Sequence, residues 1–127
     1  MNIKKFVYKS VNSTNDIAIK LIKKKQIKYG LVISEKQKKG RGQRGKKWIS
    51  YKGNLFVSFF HELKNINTSL STLTKINCLL VKKILIKYCK KKIVFKKPND
   101  LLINKKKVSG ILQEIISISD KSFLIIG

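Results

Sequence analysis

Apolar and polar residues alternate along the first half of the chain in a pattern that predicts three strands and one helix. The strands are predicted where apolar residues alternate or run together, at residues 3–8, 30–34 and 54–60. Residues 13–16 are helix-capping types. They precede Ile17, Leu21 and Ile22, whose spacing predicts one buried helical face. The polar residues 36–47 predict a loop between the second and third strands.

The second half of the chain predicts one long helix followed by several short strands. Ser69 or Ser71 is placed to cap the helix. The apolar residues of this helix recur every three or four positions: Leu73, Ile76, Leu80, Ile84 and Tyr88. Strands are predicted at residues 93–96, 101–103, 108–116 and 122–126. Strands in runs with two helices indicate an α+β fold, a mixed or antiparallel β-sheet with helices packed on one face, and one domain over residues 1–127.

The charge of the chain is strongly positive. There are 30 lysines and arginines against 6 acidic residues, a formal net charge of +24, which favours polyanionic partners. However, the lysines are spread along the chain, Arg41 and Arg44 are the only arginines, and Ala18 is the only alanine. Such a bias in composition explains much of the excess, and spread lysines are typical of solvated faces. A basic nucleic-acid-binding module remains an alternative, although no helix-turn-helix, zinc-ligand or aromatic RNA-binding pattern accompanies the charge.

The two cysteines and the lack of targeting segments indicate a cytoplasmic protein. Cys78 and Cys89 are predicted on one helix, where eleven residues separate them by roughly 16 Å, too far for a disulfide. Thiols without CxxC spacing indicate a reducing compartment and no structural zinc. We find neither a signal peptide nor an apolar run of about 18 residues, so no membrane association is expected.

The loop of residues 40–48 contains three glycines and several cations. Its Gly40-x-Gly42-x-x-Gly45 spacing matches a dinucleotide fingerprint, and Gly45-Lys46 completes most of a P-loop. Both interpretations need a helix directly after the glycines, and no apolar helical stripe follows. What remains is a cationic loop in which Arg41 can bind a carboxylate or phosphate and Trp48 can close over it. A solvated basic hairpin loop is the alternative.

A second group of polar residues surrounds Pro98. Lys96 ends a predicted strand before this proline, so its ammonium is expected to be held at the sheet edge, where it can stabilise charge on a phosphoryl group. Asn99 and Asp100 suit either turn capping or ligand binding. Gly110, inside a strand run, indicates close approach of a ligand or of another backbone segment. The same choice between helix caps and ligand contacts is open for residues 13–15.

Five motifs occur in one order along the chain: Ser13-Thr14-Asn15, Glu35-x-Gln37, Gly40-Arg41-Gly42-x-x-Gly45-x-x-Trp48, Lys96-x-Pro98-Asn99-Asp100, and Lys107-Val108-x-Gly110-Ile111-Leu112-x-Glu114. Together they resemble the catalytic domain of biotin protein ligases, whose fold is similar to that of class II aminoacyl-tRNA synthetases. Two positions depart from the family pattern. Gln43 replaces a frequent second basic residue, and Lys97 replaces the usual tryptophan.

The resemblance implies roles for individual residues. Lys96 and Arg41 are the implied catalytic residues, with Lys96 contacting the biotin carboxylate and the α-phosphate of ATP. The remaining implied contacts of biotin and biotinyl-5′-AMP are Ser13, Thr14, Asn15, Gln37, Gly40, Gly42, Gln43, Trp48 and Gly110. In this picture the loop of residues 40–48 and Lys96 converge on the junction between the carboxylate and the phosphoryl group.

The implied activity is that of a biotin–[biotin carboxyl-carrier protein] ligase. The biotin carboxylate attacks the α-phosphorus of ATP, pyrophosphate leaves, and a lysine of the carrier domain of acetyl-CoA carboxylase attacks the resulting biotinyl-5′-AMP. Mg²⁺ is expected on the ATP phosphates, with no dedicated protein metal site. Family members continue beyond the position of Gly127 into a small β-barrel domain, and some carry an N-terminal winged helix. We therefore expect a C-terminally shortened catalytic domain without specific DNA binding.

Several alternatives stay open on the sequence alone. A lipoate ligase of the same superfamily is a related enzyme, although the glycine-arginine loop favours biotin. A degenerate protein that binds biotin without turnover, and the basic nucleic-acid module, are the non-enzymatic alternatives. The sequence also leaves open whether the chain is active, whether it forms a homodimer through a strand edge, and which carrier it modifies.

Overall fold

The computed structural model of the chain describes residues 3–64 and 67–127. Its helices are α1 (Thr14–Lys25) and α2 (Leu70–Leu85). Its strands are β1 (Lys5–Tyr8), β2 (Tyr29–Ser34), β3 (Phe56–Leu63), β4 (Ile93–Lys96), β5 (Asp100–Ile103), β6 (Lys106–Gly110), β7 (Gln113–Ile118) and β8 (Lys121–Ile126). These elements form two compact units. The first comprises the described residues up to 64 together with 113–127, and the second comprises residues 67–112.

The first unit contains a five-stranded sheet with the order β1-β2-β3-β8-β7. Strands β1 and β2 are parallel, and the remaining neighbours are antiparallel. Helix α1 packs on β2, β3 and β8. The core between them is apolar on both sides and consists of Ala18, Leu21, Ile22, Val32, Phe60, Phe123 and Ile125. Burial of each large side chain in such a core contributes about 1.5–3 kcal/mol.

The predicted first strand, first helix and second strand are confirmed within one or two residues. Of the cap candidates at residues 13–16, Ser13 is the N-cap of α1. The helix ends at Lys25 and is capped by Gln26, whose left-handed backbone donates its N–H to the Ile22 carbonyl. The strand predicted at residues 54–60 begins and ends later, at Phe56–Leu63. The last strand, predicted at residues 122–126, is confirmed as β8.

The second unit contains an antiparallel three-stranded sheet, β4-β5-β6, on which α2 packs through β4 and β5. The apolar face predicted for this helix is wrong. Ile76, Leu80 and Ile84 are exposed, whereas the buried residues of α2 are Thr74 and Cys78. These two small side chains lie four residues apart, on the one face of the helix that is buried.

Two further details differ from the sequence-based expectation. The strand predicted at residues 108–116 is divided between β6 and β7, which belong to different sheets. At the break, the Asn99 carbonyl accepts from the Ile111 N–H at 3.0 Å and the Asn99 amide donates to the Ile111 carbonyl at 2.9 Å. The first bond extends the β5–β6 pairing by one position, and in the second the Asn99 side chain takes the Ile111 carbonyl in place of a backbone N–H. Cys89 lies beyond the end of α2, and neither described helix is long and apolar enough to cross a bilayer.

Candidate functional site

The N-terminus of α1 places three polar side chains inside the first unit. Ser13, Thr14 and Asn15 are all buried. The Ser13 hydroxyl accepts a long hydrogen bond from the Asp16 N–H, at 3.4 Å, so part of this motif serves as a helix cap. Thr14 and Asn15 begin the helix itself, and their side chains make other contacts.

A polar niche, formed by Thr14, Asn15, Gln37 and Ser58, joins three segments of the first unit. Gln37 Oε1 accepts from the Thr14 N–H at 2.8 Å and from the Thr14 hydroxyl at 3.1 Å. The Ser58 hydroxyl lies 2.8 Å from Thr14 Oγ1 and 2.5 Å from Asn15 Oδ1. Three of the implied biotin-binding residues are therefore brought together by direct hydrogen bonds.

Ser58 is the member of the polar niche that the sequence analysis missed. It is fully buried in β3, in a strand whose alternate residues Phe56 and Phe60 are also buried. A hydroxyl on the buried face of an apolar strand needs polar partners, because an unpaired buried hydroxyl is costly. Period-two alternation along the strand was the signal that could have identified it.

The glycine loop, residues 40–48, is closed by backbone hydrogen bonds. The Trp48 N–H donates to the Gly40 carbonyl at 2.8 Å, and the Gly42 N–H donates to the Lys46 carbonyl at 2.7 Å. A Cβ atom at Gly40 would lie only 2.7 Å from the Trp48 carbonyl oxygen, so this close approach requires glycine. Gln43–Gly45 forms a single 3-10 turn, and no α-helix begins there, in agreement with the exclusion of phosphate-binding helix motifs.

Arg41 extends from the glycine loop to two carboxylates. Its Nη1 and Nη2 donate to Glu114 Oε1 and Oε2, both at 2.8 Å, and its Nε and Nη2 donate to Asp16 Oδ1 at 3.0 and 2.7 Å. The hydrogen bond with Glu114 is the main cause that raises the pKa of Arg41, against the opposing effect of burial. Four of the five guanidinium N–H groups are thereby used.

Glu114 links Arg41 to the polar niche. Besides the two bonds from Arg41, Glu114 Oε2 accepts from Asn15 Nδ2 at 2.8 Å. Burial alone would raise the pKa of Glu114, but the hydrogen bonds from Arg41 and Asn15 and the charge of Arg41 together lower it. Glu114 therefore stays ionised. The last of the five sequence motifs contains this glutamate, but the sequence analysis gave it no role.

Gly127 is a further residue that the sequence analysis did not assign to the site. Its Cα lies so close to the Asn15 side-chain amide that any Cβ would overlap the Asn15 oxygen. Gly127, directly after β8, thus packs against the Asn15 side chain, and a larger residue there would displace that amide.

The second unit brings Lys96 and Gly110 into one row across its sheet. Lys96 pairs with Asp100 between β4 and β5, and Asp100 pairs with Gly110 between β5 and β6. The ammonium of Lys107 lies 2.8 Å from Asp100 Oδ1. Lys96 is exposed and has no ion pair within the described residues. Of the two lysines, Lys107 is therefore the one whose ammonium is fixed by a carboxylate.

Comparison with known proteins places these residues in a family. The model of the biotin/lipoate A/B protein ligase family matches residues 7–127. The bifunctional ligase/repressor BirA of Escherichia coli (strain K12) is 32% identical over 120 residues, which cover 92% of this chain and 37% of BirA. The chain thus spans little more than a third of that relative.

Solved structures of biotin protein ligases have the same fold. The biotin protein ligase from Aquifex aeolicus in complex with biotin and ATP superposes with a TM-score of 0.75 at 32% identity, covering 97% of this chain and 50% of that one. The enzyme from Leishmania major in complex with biotinyl-5-AMP gives a TM-score of 0.74 at 27% identity, covering 100% and 57%. The predicted α+β fold is confirmed, and the chain belongs to the biotin/lipoate A/B protein ligase family.

Proposed function

We propose that this chain activates biotin with ATP to form biotinyl-5′-AMP and then passes biotin to a lysine of a carrier protein. The observation that carries the proposal is the polar niche. Thr14 and Asn15 belong to one motif and Gln37 to another, 22 or more positions away along the chain. Thr14 bonds directly to Gln37, and Ser58 bonds to both Thr14 and Asn15. A buried set of donors and acceptors of this kind suits a ring that carries both N–H and C=O groups.

The proposed chemistry requires positive charge around two anions. The biotin carboxylate and the α-phosphate of ATP repel each other, and fixed cations lower the cost of bringing them together. We assign Lys96 to the carboxylate and the α-phosphate, and Arg41 with Gly40, Gly42 and Gln43 to the adenylate. Trp48, half-buried at the end of the glycine loop, is proposed to limit access of water to the mixed anhydride.

Ser13 and Gly110 complete the proposed ligand contacts. Ser13 lies beside Thr14 at the start of α1, and its hydroxyl accepts the long bond from the Asp16 N–H. Gly110 leaves the edge of the second unit's sheet without a side chain, in the row that contains Lys96. Both assignments rest on the family motifs, and substitution of Ser13 or Gly110 would test them.

Magnesium, the carrier and the compartment belong to the same proposal. No group of three or more His, Cys, Asp or Glu side chains in residues 3–64 and 67–127 could hold a metal ion. Mg²⁺ is proposed to be held mainly by the ATP phosphates and water. The carrier is proposed to be the biotin carboxyl carrier domain of acetyl-CoA carboxylase, and the free thiols of Cys78 and Cys89 favour the cytoplasm.

One experiment tests the proposal against its alternatives. The purified chain is incubated with Mg²⁺, ATP labelled at the α-phosphate and either biotin or lipoate, and the labelled adenylate is separated. Biotinyl-5′-AMP is expected, and a biotin carrier domain added afterwards becomes detectable with streptavidin. Lipoyl adenylate alone would establish the sister activity. Bound biotin without adenylate would establish a binding protein, and salt-sensitive RNA binding without either would establish a nucleic-acid module.

A matched pair of variants ties the activity to the polar niche. Ser58→Ala removes a buried hydroxyl that bonds to Thr14 and Asn15, and it should raise the KM for biotin. Ser117→Ala removes a hydroxyl on an exposed edge of β7 and should have no effect. Equal KM values for biotin in the two variants would show that the polar niche does not contribute to biotin binding.

A further inference from the structure

The acidic residues of this chain are distributed in an unexpected way. Only 6 acidic residues face 30 lysines and arginines. Nevertheless, two of the six, Asp16 and Glu114, lie on the same guanidinium, that of Arg41. With lysines abundant elsewhere, chance pairing would seldom bring two scarce carboxylates onto one of only two arginines. The arrangement therefore calls for a role that an ordinary surface ion pair does not explain.

The two carboxylates differ in what else they contact. The Asp16 carboxylate accepts from the Arg41 guanidinium, and its side chain is the more exposed of the two. Glu114 is less exposed, accepts two parallel bonds from Arg41 and also accepts from the Asn15 amide. Glu114 thus joins the glycine loop to the polar niche, although it lies on β7, at the edge of the five-stranded sheet.

We propose that Glu114 is a positioning residue: its carboxylate holds the Asn15 amide and the Arg41 guanidinium in place at the same time, so that the polar niche is set for biotin before the ligand arrives. The inference rests on the proposed function, because biotin is the ligand whose binding it would favour. Glu114 itself makes no contact with the reacting atoms in this account.

The orientation of Asn15 explains why an ionised acceptor is needed. A carboxylate only accepts hydrogen bonds, so Glu114 forces the Nδ2 group of Asn15 toward itself and leaves Oδ1 toward Ser58. A neutral amide at position 114 could point either its oxygen or its nitrogen at Asn15 and at Arg41. The Asn15 amide would then lose its fixed orientation, and part of the binding free energy would go into restoring it.

The second part of the proposed role of Glu114 is to hold the glycine loop in place. Residues 40–48 have no α-helix or sheet strand of their own, apart from a single bridge and the 3-10 turn. The bidentate contact of Arg41 with Glu114 ties this loop to the sheet with charge-assisted bonds, which are stronger and more directional than neutral ones. Without the contact between Arg41 and Glu114, the loop would lose more conformational entropy when the ligand binds, and binding would be weaker.

The test uses three variants, Glu114→Gln, Asp16→Asn and Glu62→Gln. Glu114→Gln keeps the shape of the side chain and removes its charge. Asp16→Asn weakens the hold on Arg41 and leaves the hydrogen bonds of Asn15 with Glu114 and Ser58 in place. Glu62→Gln is the control, because Glu62 is a β3 carboxylate whose 3.7 Å ion pair with Lys121 lies outside the niche.

Two readouts are measured, and only the second needs biotin. The first is the position of the side-chain N–H signals of Asn15 and Arg41 in NMR spectra of the ligand-free chain. The second is the biotin dissociation constant from calorimetry, compared with the rate of adenylate formation at saturating biotin.

Glu114→Gln should shift the signals of both Asn15 and Arg41, and it should weaken biotin binding about tenfold, the lower end for a hydrogen bond to a charged group. The rate of adenylate formation at saturating biotin should change by less than about threefold, because bound biotin itself orders the side chains of Asn15 and Arg41. Asp16→Asn should shift only the Arg41 signal and leave biotin affinity within about threefold. Glu62→Gln should change neither readout.

Two results would overturn the inference. One is an Asn15 signal that stays unchanged in Glu114→Gln, because Glu114 would then not orient that amide. The other is equal loss of biotin affinity in Asp16→Asn and Glu114→Gln, which would reduce the role of Glu114 to holding Arg41. A wild-type chain that binds no biotin would refute the proposed function instead, and the signals of Asn15 and Arg41 would still decide whether Glu114 couples them.

Discussion

The geometry of the two ion pairs of Arg41 predicts how much each pair contributes to the free energy of unfolding. Truncation of Arg41 to alanine removes four charge-assisted hydrogen bonds, two to Glu114 and two to Asp16. The two carboxylates then remain in a partly buried place without their cation. Double-mutant cycles that combine Arg41→Ala with Glu114→Ala, and separately with Asp16→Ala, measure each interaction by itself.

The expected magnitudes differ because the two pairs differ in exposure and in number of contacts. The Glu114 side chain is 25% exposed and makes a bidentate contact with Arg41, which is 37% exposed. Hydrogen bonds to charged groups contribute about 1.5–3 kcal/mol when buried, and partial exposure brings this pair to about 1–1.5 kcal/mol. The Asp16 side chain is 46% exposed, and its pair should contribute about 0.2–1 kcal/mol, as exposed pairs do.

The assay is urea denaturation at pH 7, followed by far-UV circular dichroism, in about 0.1 M and about 1 M salt. Lys47→Ala is the matched control, since it removes an exposed cation of the same loop that has no ion pair within the described residues. The control should change the free energy of unfolding by less than about 0.5 kcal/mol. Salt should weaken the Asp16 coupling more than the Glu114 coupling, because the Asp16 pair is more exposed.

A coupling energy for Arg41 and Glu114 below about 0.3 kcal/mol would refute this reasoning, because that value is within the error of additive, independent sites. An Asp16 coupling as large as that of Glu114 would also contradict it. In that case, exposure and bidentate geometry would not determine which carboxylate holds the loop.

Three further predictions follow from individual contacts. The pKa of Glu114 is lowered in the folded chain. Its contribution to stability is therefore present above the ordinary carboxyl pKa of about 4.3 and is lost as the pH falls below it. Denaturation between pH 7 and pH 3 should show this loss of stability in the wild type and not in Glu114→Gln. Gly127→Ala should overlap the Asn15 amide and cost about 1–3 kcal/mol of unfolding free energy, so an unchanged stability would contradict the packing at that residue. Lys96→Ala should abolish adenylate formation with little loss of stability. If Lys107→Ala abolishes adenylate formation and Lys96→Ala does not, the catalytic ammonium is that of Lys107, which is fixed by Asp100.

Local patterns predicted the first unit well because its signals are short-range. Capping residues at 13–16 and apolar spacing along α1 agree with each other, and Ser13 is indeed the cap. The strand β2 is short, apolar and flanked by polar segments, which is the situation in which a strand is easiest to recognise. In these elements, local preference and tertiary packing favour the same structure.

The second unit was harder because apolar spacing does not determine which face of a helix is buried. Helix α2 has apolar residues around most of its circumference, and the face with Thr74 and Cys78 is buried while Ile76 and Leu80 are exposed. The split of residues 108–116 into two strands falls where Ile111 bonds to Asn99, twelve positions away along the chain. Contacts of that range leave no periodic signal in the sequence.

The sequence motifs named three residues of the polar niche but not the contacts that connect them. Thr14, Asn15 and Gln37 were all expected from the family resemblance, and the first unit brings them together. Ser58 and Glu114 join those residues through contacts that span 43 and 99 positions along the chain. Alternation along β3 marks Ser58 as a residue of the buried face. The partners of Ser58 and Glu114 depend on which strands pair, and a single sequence does not specify that pairing in advance.

The most direct test of this account is the location of biotin on the chain. In NMR spectra of the isotope-labelled chain, saturating biotin should shift the Thr14 amide and the side-chain amides of Asn15 and Gln37, and Ser58→Ala should weaken these shifts. Shifts confined to residues outside the polar niche, or no shifts at millimolar biotin, would contradict the claim that this niche is the binding site for the vitamin.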